Sequence, residues 1–204
     1  MKVNNYPVKT PAAGDRLFGS DSNGDQVQFD MTDFGGGSHY IGELVGGGIV
    51  VALWKEGTTE KALIASLTNL STGIQWALPA FQSTLIGPAA QSFSDGLGNT
   101  NAIIAQTTAP AANTYAAGLA RLHSGGGYND WYLPSNWELN MCYNSAAIVN
   151  KVLGTDSFTG NASYWSSTEY ISNYAWYFNF ISGLASFNFK YNSYYVRAVR
   201  TFSI

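Results

Sequence analysis

The stretch YISNYAWYFNFISGLASFNFKYNSYYV, residues 170–196, constrains the fold more than any other part of the chain. Eleven of its 27 residues are aromatic, four are Asn, four are Ser, and Lys190 carries the only charge. So many rings in one span either build a core or form a surface that touches something. Period-two alternation separates the two roles. Within 175–181, Trp176, Phe178 and Phe180 fall on one face of a strand and are apolar throughout, which predicts core. Tyr177, Asn179 and Ile181 fall on the other face and mix ring, amide and aliphatic groups, as a contact surface does. Tyr supplies wide contact area with few rotatable bonds, and Asn and Ser adapt their hydrogen bonds to a partner. In the following LASFNFKYNSYY the alternation is less clean. Phe187 and Phe189 share a face and suit either role, whereas Tyr191 and Tyr194 suit contact. Arg197 and Arg200 read as pairing or rim residues of a last strand.

The rest of the chain supplies the frame for this stretch. Residues 1–34 are turn-rich, with one short strand at QVQFDM, and read as an arm rather than a domain with its own core. Asp21, Asn23 and Asp25 suggest a calcium loop, but Gly24 is misplaced and no closing Glu follows, so an ordinary turn is the better reading. From Gly35 onward the pattern predicts a short strand near Ile41, a glycine turn at Gly46–Gly48 and a strand over Ile49–Trp54. A hairpin turning at Glu56 and Gly57 leads to a second strand, ALIASL. Helices are predicted over Asn99–Gln106 and Ala111–Leu122. A third begins at Ser135, where Glu138 three residues later completes a capping box, and it stops at Gly154. Its apolar stripe is Leu139, Cys142, Ala146, Val149 and Leu153. The aromatic strands and a single strand YYVRAVRTF, 194–202, close the chain. Strands, then helices, then strands give an α+β fold.

Composition excludes several functions. A net charge of -3 with only ten Lys and Arg does not make the basic field that nucleic acid requires. A single cysteine, Cys142, rules out an intrachain disulfide, and its apolar neighbours predict a buried, inert thiol. The N-terminus lacks the apolar core of a signal peptide, and the longest apolar run, Ile49–Trp54, is too short to span a bilayer, so no membrane insertion is expected. The glycine clusters lack nucleotide-loop spacing. His39 and His123 have no ligand-spaced partners. Glu138 is committed to its helix cap, and Asp130 is expected to accept backbone hydrogen bonds in the loop before that helix. Ser166, Ser167 and Thr168 carry no triad signature and are expected to satisfy backbone groups around a buried Trp165. No catalytic residue, metal or cofactor is expected.

In GYNDWYLPSNWEL (127–139), YWSST (164–168), AWYFNFISG (175–183) and YVRAVR (195–200), the chain resembles DUF1566. This is a bacterial and phage domain family related to C-type-lectin-like ligand-binding domains. IGELVGGGIVVALW, TGIQWALP and DGLGNTNAII resemble it too, so the likeness runs over about residues 38–203. The stretch after YWSSTE is similar to the variable region of diversity-generating retroelement target proteins. In those systems, randomised template adenines convert Asn codons into codons for Tyr, Ser, Ile, Phe, Leu, Ala, Asp and others. The N-terminal segment resembles leading segments of phage tail proteins.

The resemblance implies a C-type-lectin-like fold, α+β, with short helices packed on antiparallel sheets. Residues 1–34 would be an arm or virion-attachment segment, and 35–204 a ligand-binding domain with its variable region at about 170–195. The implied contact residues are Tyr170, Ile171, Asn173, Tyr174, Tyr177, Asn179, Ile181, Leu184, Ser186, Phe187, Asn188, Phe189, Tyr191, Asn192 and Tyr194. Function is then expected to be diversified recognition of a protein or carbohydrate on a host cell surface, at a phage tail tip or fibre. A constant structural or adhesin domain of a bacterial envelope protein is the alternative, and a carbohydrate-active enzyme trails both. Partners would include virion structural proteins and, by analogy with fibres, two further copies in a trimer. Location would be the virion tail or the bacterial surface.

Overall fold

The computed structural model describes residues 39–108 and 111–204 in full and 16–20 and 26–30 as backbone. The Asp21–Asp25 turn therefore lies outside the described residues. Two compact units divide between His39 and Tyr40. In the first, β1 (Arg16–Ser20) pairs antiparallel with β2 (Gln26–Asp30). QVQFDM thus forms a strand as expected, and RLFGS, assigned no element from sequence, is its partner.

The second unit holds two sheets. One has the order β11-β5-β4-β3, with β3 at Leu44–Val45, β4 at Gly48–Glu56, β5 at Thr59–Ala65 and β11 at Val199–Ser203. The β3–β4 turn needs two residues in the left-handed region, and Gly46 and Gly47 supply φ of 62° and 80°. Gly47 is also a close approach: a Cβ there would strike the Gly125 carbonyl. Ile41 sits in a turn, so the first short strand lies three residues later than its apolar character suggests. This sheet is covered on both faces. Val50, Ala62 and Ile64 join one apolar cluster with Trp76, Trp131 and Trp165. Ile49, Val51, Leu63 and Ala65 join a second cluster with Leu139, Cys142 and Val149.

Those last residues belong to α3 (Asn136–Leu153), whose capping box is formed as expected. The Glu138 amide donates to Ser135 Oγ at 3.4 Å, and the Ser135 amide donates to Glu138 Oε2 at 2.7 Å. Gly154 ends the helix at φ 65°. The Cys142 thiol is buried on the apolar stripe, and desolvation pushes its pKa up to about 12. The other helices differ from expectation at their starts. α1 runs Gly96–Gln106, three residues longer, because Asp95 caps it by accepting from the Gly98 amide. α2 is only Ala116–Arg121. Tyr115 before it is extended and buried, and the Ala116 amide donates to the Gln75 carbonyl instead of to a preceding turn.

The second sheet has the order β6-β10-β7-β8-β9, with β6 at Ser71–Ile74, β10 at Tyr194–Val196, β7 at Ser163–Ile171, β8 at Tyr174–Asn179 and β9 at Leu184–Phe189. All its pairings are antiparallel except β10 with β7. The fold is α+β, with short helices packed against curved antiparallel sheets. YYVRAVRTF is not one strand: it breaks at Arg197–Ala198 and passes from this sheet to the other. The break follows from Arg197, which is fully buried. Its guanidinium donates to the Ser157 carbonyl and hydroxyl, both at 2.8 Å, and lies 4.1 Å from the centre of the Phe158 ring. Desolvation lowers its pKa to about 10. Among the described residues no helix is long and apolar enough to cross a membrane.

A lysine at 197 keeps the charge but loses the planar fork that reaches both Ser157 groups and stacks on Phe158. Arg197→Lys is expected to lower unfolding free energy by about 2 kcal/mol or more, read from urea denaturation with the m-value unchanged.

Candidate ligand-binding face

The β7–β8–β9 strands present the aromatic stretch, and their turns are set by local polar groups. At the β8–β9 turn, Asn179 Oδ1 accepts from the amides of Ile181 and Ser182, at 2.8 and 3.0 Å. Gly183 follows at φ 70°, where a Cβ would press on the Tyr143 hydroxyl. The cross-strand register places Tyr174 opposite Phe189 and Trp176 opposite Phe187. One sheet face therefore carries Tyr174, Trp176, Phe178, Phe187 and Phe189, and the other carries Ala175, Tyr177, Asn179, Leu184, Ser186 and Asn188.

The first face is covered only in part. At one end Phe178 and Phe180 are buried as expected, against Tyr143 of α3 at 5.4 and 5.3 Å between ring centres. Beyond the helix, Trp176 is half-buried rather than core, which corrects the expectation for it. It is right that Trp176 and Phe178 share a face, but α3 reaches only one of them. The uncovered end is a ladder of rings. Phe93 meets Trp176 at 5.3 Å, Trp176 meets Tyr170 at 5.4 Å, and Tyr170 stacks on Phe187 at 4.4 Å. Tyr174 continues it to Phe189 at 4.3 Å, and Phe189 stacks on Tyr191 at 4.9 Å. Phe93, Tyr170, Phe187 and Tyr191 are exposed, Tyr191 at 56%. Ile171 is exposed beside the β7–β8 turn, and Ile181 and Leu184 are exposed at the β8–β9 turn.

The fifteen residues singled out from sequence thus divide. Tyr170, Tyr174, Phe187, Phe189 and Tyr191 come together in the ladder. Tyr177 and Tyr194 lie across the sheet from it, half-buried, 4.6 Å apart, with Tyr194 also 4.6 Å from the buried Trp165. Asn188 Nδ2 donates to the Tyr194 hydroxyl at 2.6 Å, which fixes both side chains. Ser186, Asn173 and Asn192 are half-buried. Trp176 and Phe93 were missed as face residues. Phe93 carried no signal, since it lies far upstream in a segment of no regular periodicity.

Beneath the ladder is a buried ion pair. Lys190 and Glu169 side chains are both fully buried, with Nζ to Oε1 at 2.7 Å. Glu169 also accepts from the amides of Ile86 and Gly87, at 3.0 and 2.8 Å. Lys190 donates to the Thr84 carbonyl at 3.0 Å, and its Nζ lies 4.8 Å from the centre of the Trp76 ring. The Lys190 amide donates to the Asn173 carbonyl, and its own carbonyl accepts from the Trp76 amide. Burial pulls the ammonium's pKa down, and Glu169 opposes that pull.

Asp130, Ser166 and Thr168 have structural hydrogen-bond partners. Asp130 forms a bidentate pair with Arg200, Nε to Oδ1 at 2.6 Å and Nη2 to Oδ2 at 2.8 Å, in place of the backbone bonds expected to be its main role. The Arg200 guanidinium holds the Asp130 carboxyl below its usual range. His123 packs edge-on to Trp131 at 4.7 Å between ring centres, and desolvation lowers its pKa. Ser166 and Thr168 serve the backbone around the Trp165 strand, as expected: Ser166 Oγ accepts from the Thr168 amide and Thr168 Oγ1 donates to the Ser92 carbonyl. Among the described residues no group of three or more His, Cys, Asp and Glu is placed to hold a metal ion.

Two predictions follow from these pairs. Glu169→Gln leaves a buried ammonium without its counter-charge and is expected to cost about 3–5 kcal/mol, measured by chemical denaturation. For Asp130 the folded pKa lies below the unfolded one, so its stabilisation is present above the ordinary carboxylate value and is lost as pH falls through the depressed value. Urea melts between about pH 5 and 2 are expected to show a shallower acid loss for Asp130→Asn than for the unaltered chain.

Among curated proteins none matches this sequence. Among solved structures, the fold is similar to a fimbrial protein from Bacteroides ovatus ATCC 8483, at 20% identity and a TM-score of 0.47 over 68% of this chain. The chain spans only 35% of the length of that protein. Residues 65–200 match the Lcl C-terminal domain, Lcl_C. That match takes in all five strands of the second sheet, the helices α1 to α3 and the whole aromatic stretch, and the chain belongs to the Lcl C-terminal domain family.

Proposed function

We propose that this chain is a non-enzymatic binding domain of a bacterial surface protein of the adhesin kind, and that it holds a protein or carbohydrate on its target through the ring ladder. The observation that carries this reading is the exposure of Phe93, Tyr170, Phe187 and Tyr191 in one continuous stack with half-buried Trp176, Tyr174 and Phe189. Rings left in water at this density are costly unless a partner covers them. Stacked against one another they are also rigid, so little entropy is lost when a partner arrives. Ile171 would form an aliphatic border to the contact area, whereas Ile181 and Leu184 stand at the β8–β9 turn, at the end of the sheet away from the ladder. Tyr177, Asn179, Ser186, Asn188 and Tyr194 would support it from the opposite sheet face, and Asn173 and Asn192 would fix its turns. Residues 35–204 form the binding domain in this reading, and residues 1–34 an arm that attaches it to a larger assembly, with avidity if several copies are carried together.

A finer reading is favoured by one specific observation. Residues that adenine randomisation of Asn codons would yield, including Tyr170, Ile171, Ile181, Leu184, Phe187 and Tyr191, are exposed. Lys190 and Glu169, which hold the sheet in place and which such changes to an Asn codon do not yield, are buried. Diversified recognition by a phage tail component fits that partition. A reverse transcriptase gene beside this one, with a template repeat differing only at adenines, is the expected genomic context; absence of both sinks this finer reading alone.

The binding reading is tested by the triple variant Tyr170→Ser, Phe187→Ser, Tyr191→Ser. Attachment of the purified chain to a panel of surface glycans and host-cell proteins is expected to weaken at least about tenfold, with circular dichroism unchanged. Undiminished attachment by a folded variant refutes the assigned face.

A further inference from the structure

A second concave feature lies apart from the ladder's central rings. A cleft of about 550 Å³ is walled by the end of β4, the start of α1, the first turn of α3 and β11. Trp54 and Trp137 form its apolar corner, with ring centres 5.4 Å apart and planes at 88°. Trp137 is exposed although it projects from a well-packed helix. Around the corner stand four carboxylates, Glu56, Asp95, Asp130 and Glu138, and no lysine or arginine is among the described residues lining the cleft.

Two of the four are committed. Asp130 is held by Arg200, and Glu138 is buried, accepting from the Tyr132 hydroxyl at 2.7 Å and from the Ser135 amide. Burial pushes the Glu138 carboxyl up. The other two face outward with capacity to spare. Glu56 accepts from Trp54 Nε1 at 3.2 Å, and its side chain is 63% exposed with Lys61 3.9 Å away. Asp95 uses Oδ1 on the Gly98 amide to cap α1. The cleft thus offers indole surface beside carboxylate oxygens, with acceptors in excess of donors. That combination suits a positive charge on an apolar stem, because the stem packs on the rings and the charge meets both the ring faces and the carboxylates. A neutral sugar would leave the carboxylate charge uncompensated and fits less well. The volume lies within the range of small-ligand pockets and admits an extended side chain with room to spare.

We propose that this cleft binds an alkylammonium group, with its methylenes against Trp54 and Trp137 and its ammonium directed to Glu56 and Asp95. Its source is the lysine side chain of a protein partner. The segment Phe93–Asp95 connects the two surfaces: the Phe93 ring ends the ladder, its carbonyl accepts from the Trp137 amide at 2.9 Å, and Ser94 and Asp95 line the cleft. A protein lying across the ladder would bring a basic side chain to this corner.

The test titrates Nα-acetyl-lysine methylamide into the full chain and follows the indole N–H resonances. Saturable shifts at Trp54 and Trp137 are expected, with none from the uncharged norleucine analogue. Trp137→Ala is expected to weaken binding at least about tenfold. Glu56→Gln and Asp95→Asn are expected to weaken it a few-fold, asparagine keeping the helix cap. The Tyr170→Ser, Phe187→Ser, Tyr191→Ser variant is expected to bind the probe unchanged, so failure of the ladder reading is distinguishable from failure of this one. A lysine-containing peptide binding more tightly than spermidine supports a protein source, and the reverse order assigns the same ammonium site to free amines. No saturable shift, an equal response to norleucine or maltose, or undiminished binding by folded Trp137→Ala overturns the proposal.

Discussion

The buried pair of Lys190 and Glu169 is the contact on which the aromatic sheet depends. Bringing two charges out of water costs more than their attraction returns unless every remaining lone pair and proton is satisfied. Here they are: Glu169 receives two loop amides as well as the ammonium, and Lys190 reaches a carbonyl and a ring face in addition. The pair contributes little net stability for its cost, but it admits only one arrangement of three chain segments. The 84–87 loop, the end of β7 and the exit from β9 must converge on a single point, and the ring ladder lies directly over that convergence.

The ladder itself is the outcome of a mismatch in length. α3 and the strands it packs on bury one end of the β7–β8–β9 face and stop short of the other. Where the helix is present, Phe178 and Phe180 pack with Tyr143 as core. Beyond Tyr143, the same alternation continues into rings that cover one another in part. Edge-to-face and offset contacts limit the water each ring meets and hold it in one rotamer. On the opposite sheet face Tyr177 and Tyr194 close over Trp165, whose Nε1 donates to the Ile74 carbonyl.

Local chemistry was legible in the sequence wherever a motif is self-contained. The Ser135–Glu138 box, the Gly154 stop and the hairpin at Glu56–Gly57 each involve residues within a few positions, and each forms where the sequence places it. What was not legible depends on partners distant in sequence. Nothing near Arg197 announces that Ser157 and Phe158 will draw it inward and break a strand. Asp130 is bound by Arg200, 70 positions away. Alternation correctly assigned Trp176 to the face of Phe178, yet burial on that face was decided by how far α3 reaches. Of the site, the rings of 170–191 were legible as a group, whereas Phe93 and the Trp54–Trp137 corner arise only when remote segments meet.

Lys190 and Tyr191 are adjacent in sequence and opposite in circumstance: one side chain is sealed in the interior and the other is more than half in water. The cost of substitution at the two positions is correspondingly divided. Replacement of Tyr191 alters an exposed ring and leaves the interior untouched, while replacement of Lys190 strands a buried carboxylate and threatens the fold. With that boundary drawn between neighbouring residues, the exposed face can change its side chains without the fold first accumulating spare stability.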